Sequence, residues 1–78
     1  MRKLVYLEWV DATSGNGWSP VTGPADRTPA YMLSVGWLLE DTKSWITLTH
    51  TMDQSEEQAN GFITVPKGWI RKKKVIRV

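Results

Sequence analysis

Apolar and polar positions alternate with a period of two along most of this chain, and glycine, proline and acidic turns cut the alternation into short runs. Residues 3 to 10 place Val5, Leu7 and Trp9 on one side and Leu4, Tyr6, Glu8 and Val10 on the other. Both sets carry apolar groups, which predicts a first strand covered on both faces. In residues 31 to 40, Leu33, Val35, Trp37 and Leu39 alternate with Met32, Ser34, Gly36, Leu38 and Glu40. The glycine inside that run predicts a bulge or sharp bend, so that one strand can serve two sheets. Asp41-Thr42-Lys43-Ser44 then turns the chain into a third strand over 45 to 52. Its alternation sends Ile46, Leu48, His50 and Met52 to the core and Trp45, Thr47, Thr49 and Thr51 to water.

The polar stretch 53 to 60 has room for one helical turn, capped by Ser55 and Gln58. Asn60-Gly61 is a hairpin signal and predicts a turn into Phe62-Ile63-Thr64-Val65. Pro66-Lys67-Gly68-Trp69 reads as a tight turn. Ile70 to Val78 reads as the last strand, with Ile70, Ile76 and Val78 inward and the stems of Lys72 and Lys74 between them. Residues 11–30 contain three glycines and three prolines, which exclude a long helix or a central strand there. A loop of that length is functional or disordered. Trp18 within it either plugs an open barrel end or meets a ligand or partner. The pattern as a whole predicts an all-β fold. It is a single domain over 1–78, a small five-stranded, strongly bent antiparallel barrel with a long loop between strands 1 and 2.

Composition narrows the chemistry. A chain of 78 residues removes only roughly 60% of its unfolded surface from water, so its stability is marginal. Five Trp and no Cys mean that packing or self-association, not disulfides, must supply the rest. One histidine, His50, in a Cys-free chain predicts no metal site. Gly15-Asn16-Gly17 precedes Trp-Ser-Pro, not a helix, so it is no phosphate-binding loop. Asp53, Glu56 and Glu57 lack the spacing of a calcium loop. No nucleophile with a triad context is present. These features point away from an enzyme and imply no cofactor.

Charge is uneven. The net charge is +2, yet six of the ten basic residues lie after Val65, where no acid occurs. Strand alternation puts Arg71, Lys73, Val75 and Arg77 on one face, where they either hold phosphates beside Trp69 or protect a sheet edge. The acidic 53 to 57 loop offers a third role, attraction between copies. The turns at Thr42 to Ser44 and Lys67 to Trp69 are expected to converge on one rim. The candidate ligand-binding residues are therefore Trp18, Thr42, Lys43, Ser44, Lys67, Trp69, Arg71, Lys73 and Arg77. Met1 to Leu7 has no apolar signal core, and no run approaches the ~20 apolar residues of a membrane span, so a soluble intracellular protein with no membrane partner is expected.

Two resemblances extend this picture. Gly36-Trp37-Leu38 with Asp41, Ile46 and Leu48, followed by Ile63 to Ile70, resembles the motifs of SH3-like and Sm-like small barrels. The second strand is about two residues shorter than the Sm pattern, and the Asn that holds a uracil there is missing. The frame Glu8-Trp9-Val10-Asp11, Gly17-Trp18, Ser34 to Glu40 and Val65-Pro66-Lys67 is similar to small proteins of tailed bacteriophages. That likeness implies a viral accessory protein in the cytoplasm of a bacterial host. Such a protein would be a homo-oligomer that sequesters a nucleotidic ligand, an anionic small molecule or a host defence protein. The Sm-like likeness implies instead a sequence-tolerant RNA or single-stranded DNA binder. A structural or assembly role in the virion is the third alternative.

Overall fold

Runs rich in β-branched and aromatic residues become five strands: β1 (Leu4–Asp11), β2 (Ala30–Asp41), β3 (Trp45–Met52), β4 (Ala59–Pro66) and β5 (Ile70–Ile76), with one 3-10 turn at Lys67–Trp69. The computed structural model describes residues 2–12, 17–18, 21–23 and 28–78. All five strands are antiparallel and belong to one sheet in the order β4-β3-β2-β1-β5. A barrel requires two neighbours for every strand. Here β4 and β5 have one each, so the sheet is open and keeps two edges.

The twelve residues of β2 hold the sheet together. Ala30 to Trp37 pair with β1, whereas Trp37 to Asp41 pair with β3. Gly36 lies where the two pairings hand over. A Cβ there would sit 2.7 Å from the Thr49 carbonyl oxygen and 3.0 Å from Leu48 Cβ, so the close approach of β2 to β3 requires glycine. The bulge itself falls further on. Leu38 pairs with Leu48 and Glu40 with Thr47, leaving Leu39 as the extra residue. Arg2 Nη1 donates to the carbonyls of Leu38 (3.3 Å) and Leu39 (3.1 Å) and so satisfies acceptors beside the bulge.

Side chains of directly paired residues share a face. The inner face buries Val5, Leu7 and Trp9 of β1, Ile46 and Leu48 of β3 and Val65 of β4, with Leu38, Ile63 and Ile70 packed against them. Trp9 stacks on Trp69, ring centroids 6.5 Å apart and planes 14° from parallel, and its indole N–H donates to Ser34 Oγ at 3.0 Å. The outer face is only half covered. Leu4, Tyr6 and Val10 are half-buried, so β1 is sealed on one side, not on both.

Five local expectations are corrected. A second bulge separates Glu8–Lys72 from Trp9–Ile70, with Arg71 as the extra residue. Ile70 therefore faces inward, but Lys72, Lys74 and Ile76 face outward, while Lys73 and Val75 share the face of Leu7 and Val5. Asn60 and Gly61 lie inside β4, paired toward β3. The turn comes earlier and contains no helix: Asp53 N–H donates to Gln58 O, Asp53 Oδ1 accepts from the Glu57 and Gln58 amides, and Glu56 takes a φ of 62°. Thr47 and Thr49 are buried rather than wet. Thr47 exchanges a 2.8 Å bond with Thr64, and the Thr49 hydroxyl donates to backbone carbonyls including Asn60 at 3.1 Å. Trp18 is fully exposed and plugs nothing.

Gly36→Ala should lower stability by about 1–3 kcal/mol in urea unfolding, because a methyl cannot enter that contact without parting β2 from β3. Gly68→Ala, with open space around its Cβ position, is the matched control and should change little.

Candidate functional site

The rim comes first. Lys67 N–H donates to Ser44 O at 2.8 Å, so the 42–44 turn and the Lys67–Trp69 turn do meet. The Thr42 hydroxyl accepts from the amides of Ser44 (3.1 Å) and Trp45 (3.0 Å), which shapes the tighter of the two turns. Between them Asp41 takes Lys67 Nζ at 2.7 Å and Lys73 Nζ at 3.1 Å. Those bonds, from Lys67 first and Lys73 second, hold the Asp41 carboxyl below the usual carboxylate range. The rim is therefore a knot in which two of the expected anion-binding lysines already serve a carboxylate. Lys43 is exposed on the turn. Trp69 and Arg71 lie apart from the knot, lining a shallow depression with Val10, Asp11, Ala12 and Pro29, and Arg71 Nη1 donates to Gly68 O at 3.0 Å. Arg77 lies in a different depression, and Trp18 is fully exposed.

The outer face of β5-β1-β2 holds what sequence alternation alone did not assemble. Its pairs form three transverse rows: Trp37–Leu4–Ile76, Val35–Tyr6–Lys74 and Leu33–Glu8–Lys72. Tyr31 opposite Val10 extends it. Tyr31, Leu33 and Val35 are 76%, 71% and 55% exposed, far beyond what scattered surface apolar residues require. Arg77 joins Tyr6, Glu8, Lys72 and Lys74 around a broad depression. Among the described residues no carboxylate pairs with Lys72, Lys74 or Arg77. Glu8 accepts from Tyr6 Oη at 2.7 Å, and that bond raises the phenol above its ordinary pKa, with desolvation and the Glu8 charge adding to it. A parity count through the Arg71 bulge would have found this face; unbroken alternation sent Lys72 and Lys74 to the wrong side.

A second apolar surface opens beside it. Leu38 N–H donates to Lys3 O at 2.8 Å, which sets the backbone phase: even-numbered β2 residues point their amides at β1, and Tyr31, Leu33 and Val35 point theirs away. No described strand pairs with them on that side. A groove lies there, lined by Leu33, Ser34 and Val35 on one wall and by His50, Gly61, Phe62 and Ile63 on the other, with Leu48 and Thr49 beneath. The His50 ring lies against Gly61, where a Cβ would overlap it.

Among the described residues no group of three or more potential metal ligands occurs, and no helix is long and apolar enough to cross a membrane. No protein-family model, curated protein or solved structure matches the chain.

The Asp41 knot has a pH signature. A carboxyl with a depressed folded pKa contributes stability above its unfolded value, and that contribution disappears as pH falls through the folded value. Stability should hold down to about pH 4 and then decline. Asp41→Asn should be less stable at pH 7 and show a shallower acid limb in thermal unfolding. Asp53, also held low, chiefly by the Ser55 hydroxyl and then the Gln58 amide, should leave a residual slope.

Proposed function

We propose that the protein is a non-enzymatic binding module that works as an assembly of identical copies and holds an anionic ligand without converting it. One observation carries the assembly: among the described residues six hydrophobic side chains are buried, while Tyr31, Leu33, Val35 and Phe62 around one open strand are each more than half exposed. A small Cys-free sheet with that balance gains most by burying the open β2 edge against another copy. Backbone groups of Tyr31, Leu33 and Val35 supply hydrogen bonds for strand addition, and the neighbouring groove supplies apolar contact. From Thr28 to Leu39 there is no charged residue, so two copies meet there without like-charge repulsion. Lys72, Lys74 and Arg77 on the adjacent face, with no carboxylate partner among the described residues, favour an anionic ligand. Capture of a nucleotidic or host component suits the phage accessory proteins that the sequence resembles, acting in a bacterial cytoplasm.

Native mass spectrometry and light scattering test the assembly. The wild type should appear as a multiple of 8.9 kDa at micromolar concentration. Leu33→Glu with Val35→Glu should return it to 8.9 kDa with an unchanged far-UV spectrum. A wild-type protein that remains at the single-chain mass would sink the proposal.

A further inference from the structure

We infer that the outer face of β5-β1-β2 binds single-stranded nucleic acid, with bases lying on β2 and β1 and phosphates on β5. The inference rests on the binding-module reading above and names the ligand class and the face that takes it. Two of the three rows across the face run from an apolar residue on β2 to a lysine on β5: Val35–Tyr6–Lys74, then Leu33–Glu8–Lys72. A strand spacing of about 4.8 Å sets the cations roughly two strands, ~10 Å, from the β2 stripe. Along β5, alternate side chains recur about every 6.8 Å, close to the step between phosphates of an extended single strand. Tyr31 and Tyr6 present rings, and Leu33 and Val35 present flat apolar ground between them.

A duplex hides its base faces and would use only the cations. An acidic peptide supplies charge but no planar rings to place on the tyrosines. Single strands offer both on one polymer, and stacking is tolerant of base identity because every base has a π face. Glu8 is the one carboxylate within the rows, and its bond to the Tyr6 hydroxyl holds both side chains in place on the face. The bulge at Arg71 makes the difference between the two halves of the basic run: Lys73 is turned inward to Asp41, whereas Lys72 and Lys74 are left with no carboxylate partner among the described residues.

The test is fluorescence anisotropy of labelled oligothymidine across a salt series. Three cations on phosphates predict a slope of log affinity against log salt of about −2. Lys72→Glu with Lys74→Glu should weaken binding at least tenfold and flatten the slope, Tyr31→Ala should weaken it roughly tenfold, and Glu8→Gln should tighten it. Lys73→Gln should stay within about twofold of wild type, since Lys73 spends its charge on Asp41. Circular dichroism of each variant separates misfolding from lost contacts, and Lys72→Gln with Lys74→Gln is the milder replacement should the reversed pair unfold. Equal affinity for duplex DNA, full displacement by polyglutamate, or a Lys73→Gln loss as large as that of the double variant would each overturn the site. Light scattering on the same samples keeps the two proposals apart. An assembled protein that ignores oligothymidine overturns the nucleic-acid site alone, and a monomer that binds it overturns the assembly alone.

Discussion

A strand has two faces, and one inserted residue exchanges them for everything that follows. In this sheet that exchange happens twice, at Leu39 in β2 and at Arg71 in β5. The first brings Asp41 onto the inner side opposite Ile46; the second brings Lys73 onto the inner side opposite Leu7. Only with both in place do carboxylate and ammonium share a face, where they lie 3.1 Å apart. The ion pair that closes the rim is thus a consequence of backbone register before it is a matter of charge.

The first bulge leaves backbone acceptors that an arginine satisfies, and a second arginine ties down the turn that precedes β5. Arg2 donates to the Leu38 and Leu39 carbonyls, and Arg71 donates to Gly68 O. A planar guanidinium with five donors suits that task better than a lysine, which is why these cations are read as parts of the frame. The buried threonines extend the same logic. Thr47 bonds the exposed Thr64 hydroxyl and Thr49 bonds backbone carbonyls, so this face of β3 gains burial without a second apolar layer. The apolar core is correspondingly thin, and the Trp9–Trp69 stack covers one end of it.

The elements were largely legible in the sequence because they depend on local alternation. Five strands, the 42–44 turn and the Lys67–Trp69 turn all follow from β-branched runs and punctuating residues. Gly36 was expected to mark a bulge or sharp bend; the bulge falls at Leu39, and the glycine instead admits the Thr49 backbone at close range. What sequence could not supply was pairing. Neither Leu39 nor Arg71 carries the glycine that marks many bulges, since each is selected by the strand opposite. Asn60-Gly61 has the chemistry of a hairpin turn, yet the Asp53 carboxylate organises an earlier turn and leaves Gly61 to accommodate His50. The candidate site suffered from the same cause: parity taken without the bulge grouped Lys73 with Arg77 and missed Lys72, Lys74 and Tyr6.

The β5 edge and the open half of β2, on the side away from β1, differ in charge and so suit different work. Arg71 to Lys74 and Arg77 crowd β5 with positive charge, so a second copy of that strand is repelled and the edge is protected from indiscriminate pairing. The open half of β2 carries no charge and points at a groove amides and carbonyls that pair with no described strand. The proposed association through β2 would therefore extend the sheet sideways and leave its outer face uncovered. Two copies joined there would set one basic strand at each margin of a continuous apolar platform. The proposed self-association and ligand capture would then meet on the same residues: the backbone of Tyr31, Leu33 and Val35 and the groove that Leu33 and Val35 line would serve the neighbouring copy, and the exposed outward surface of the three side chains would serve the ligand.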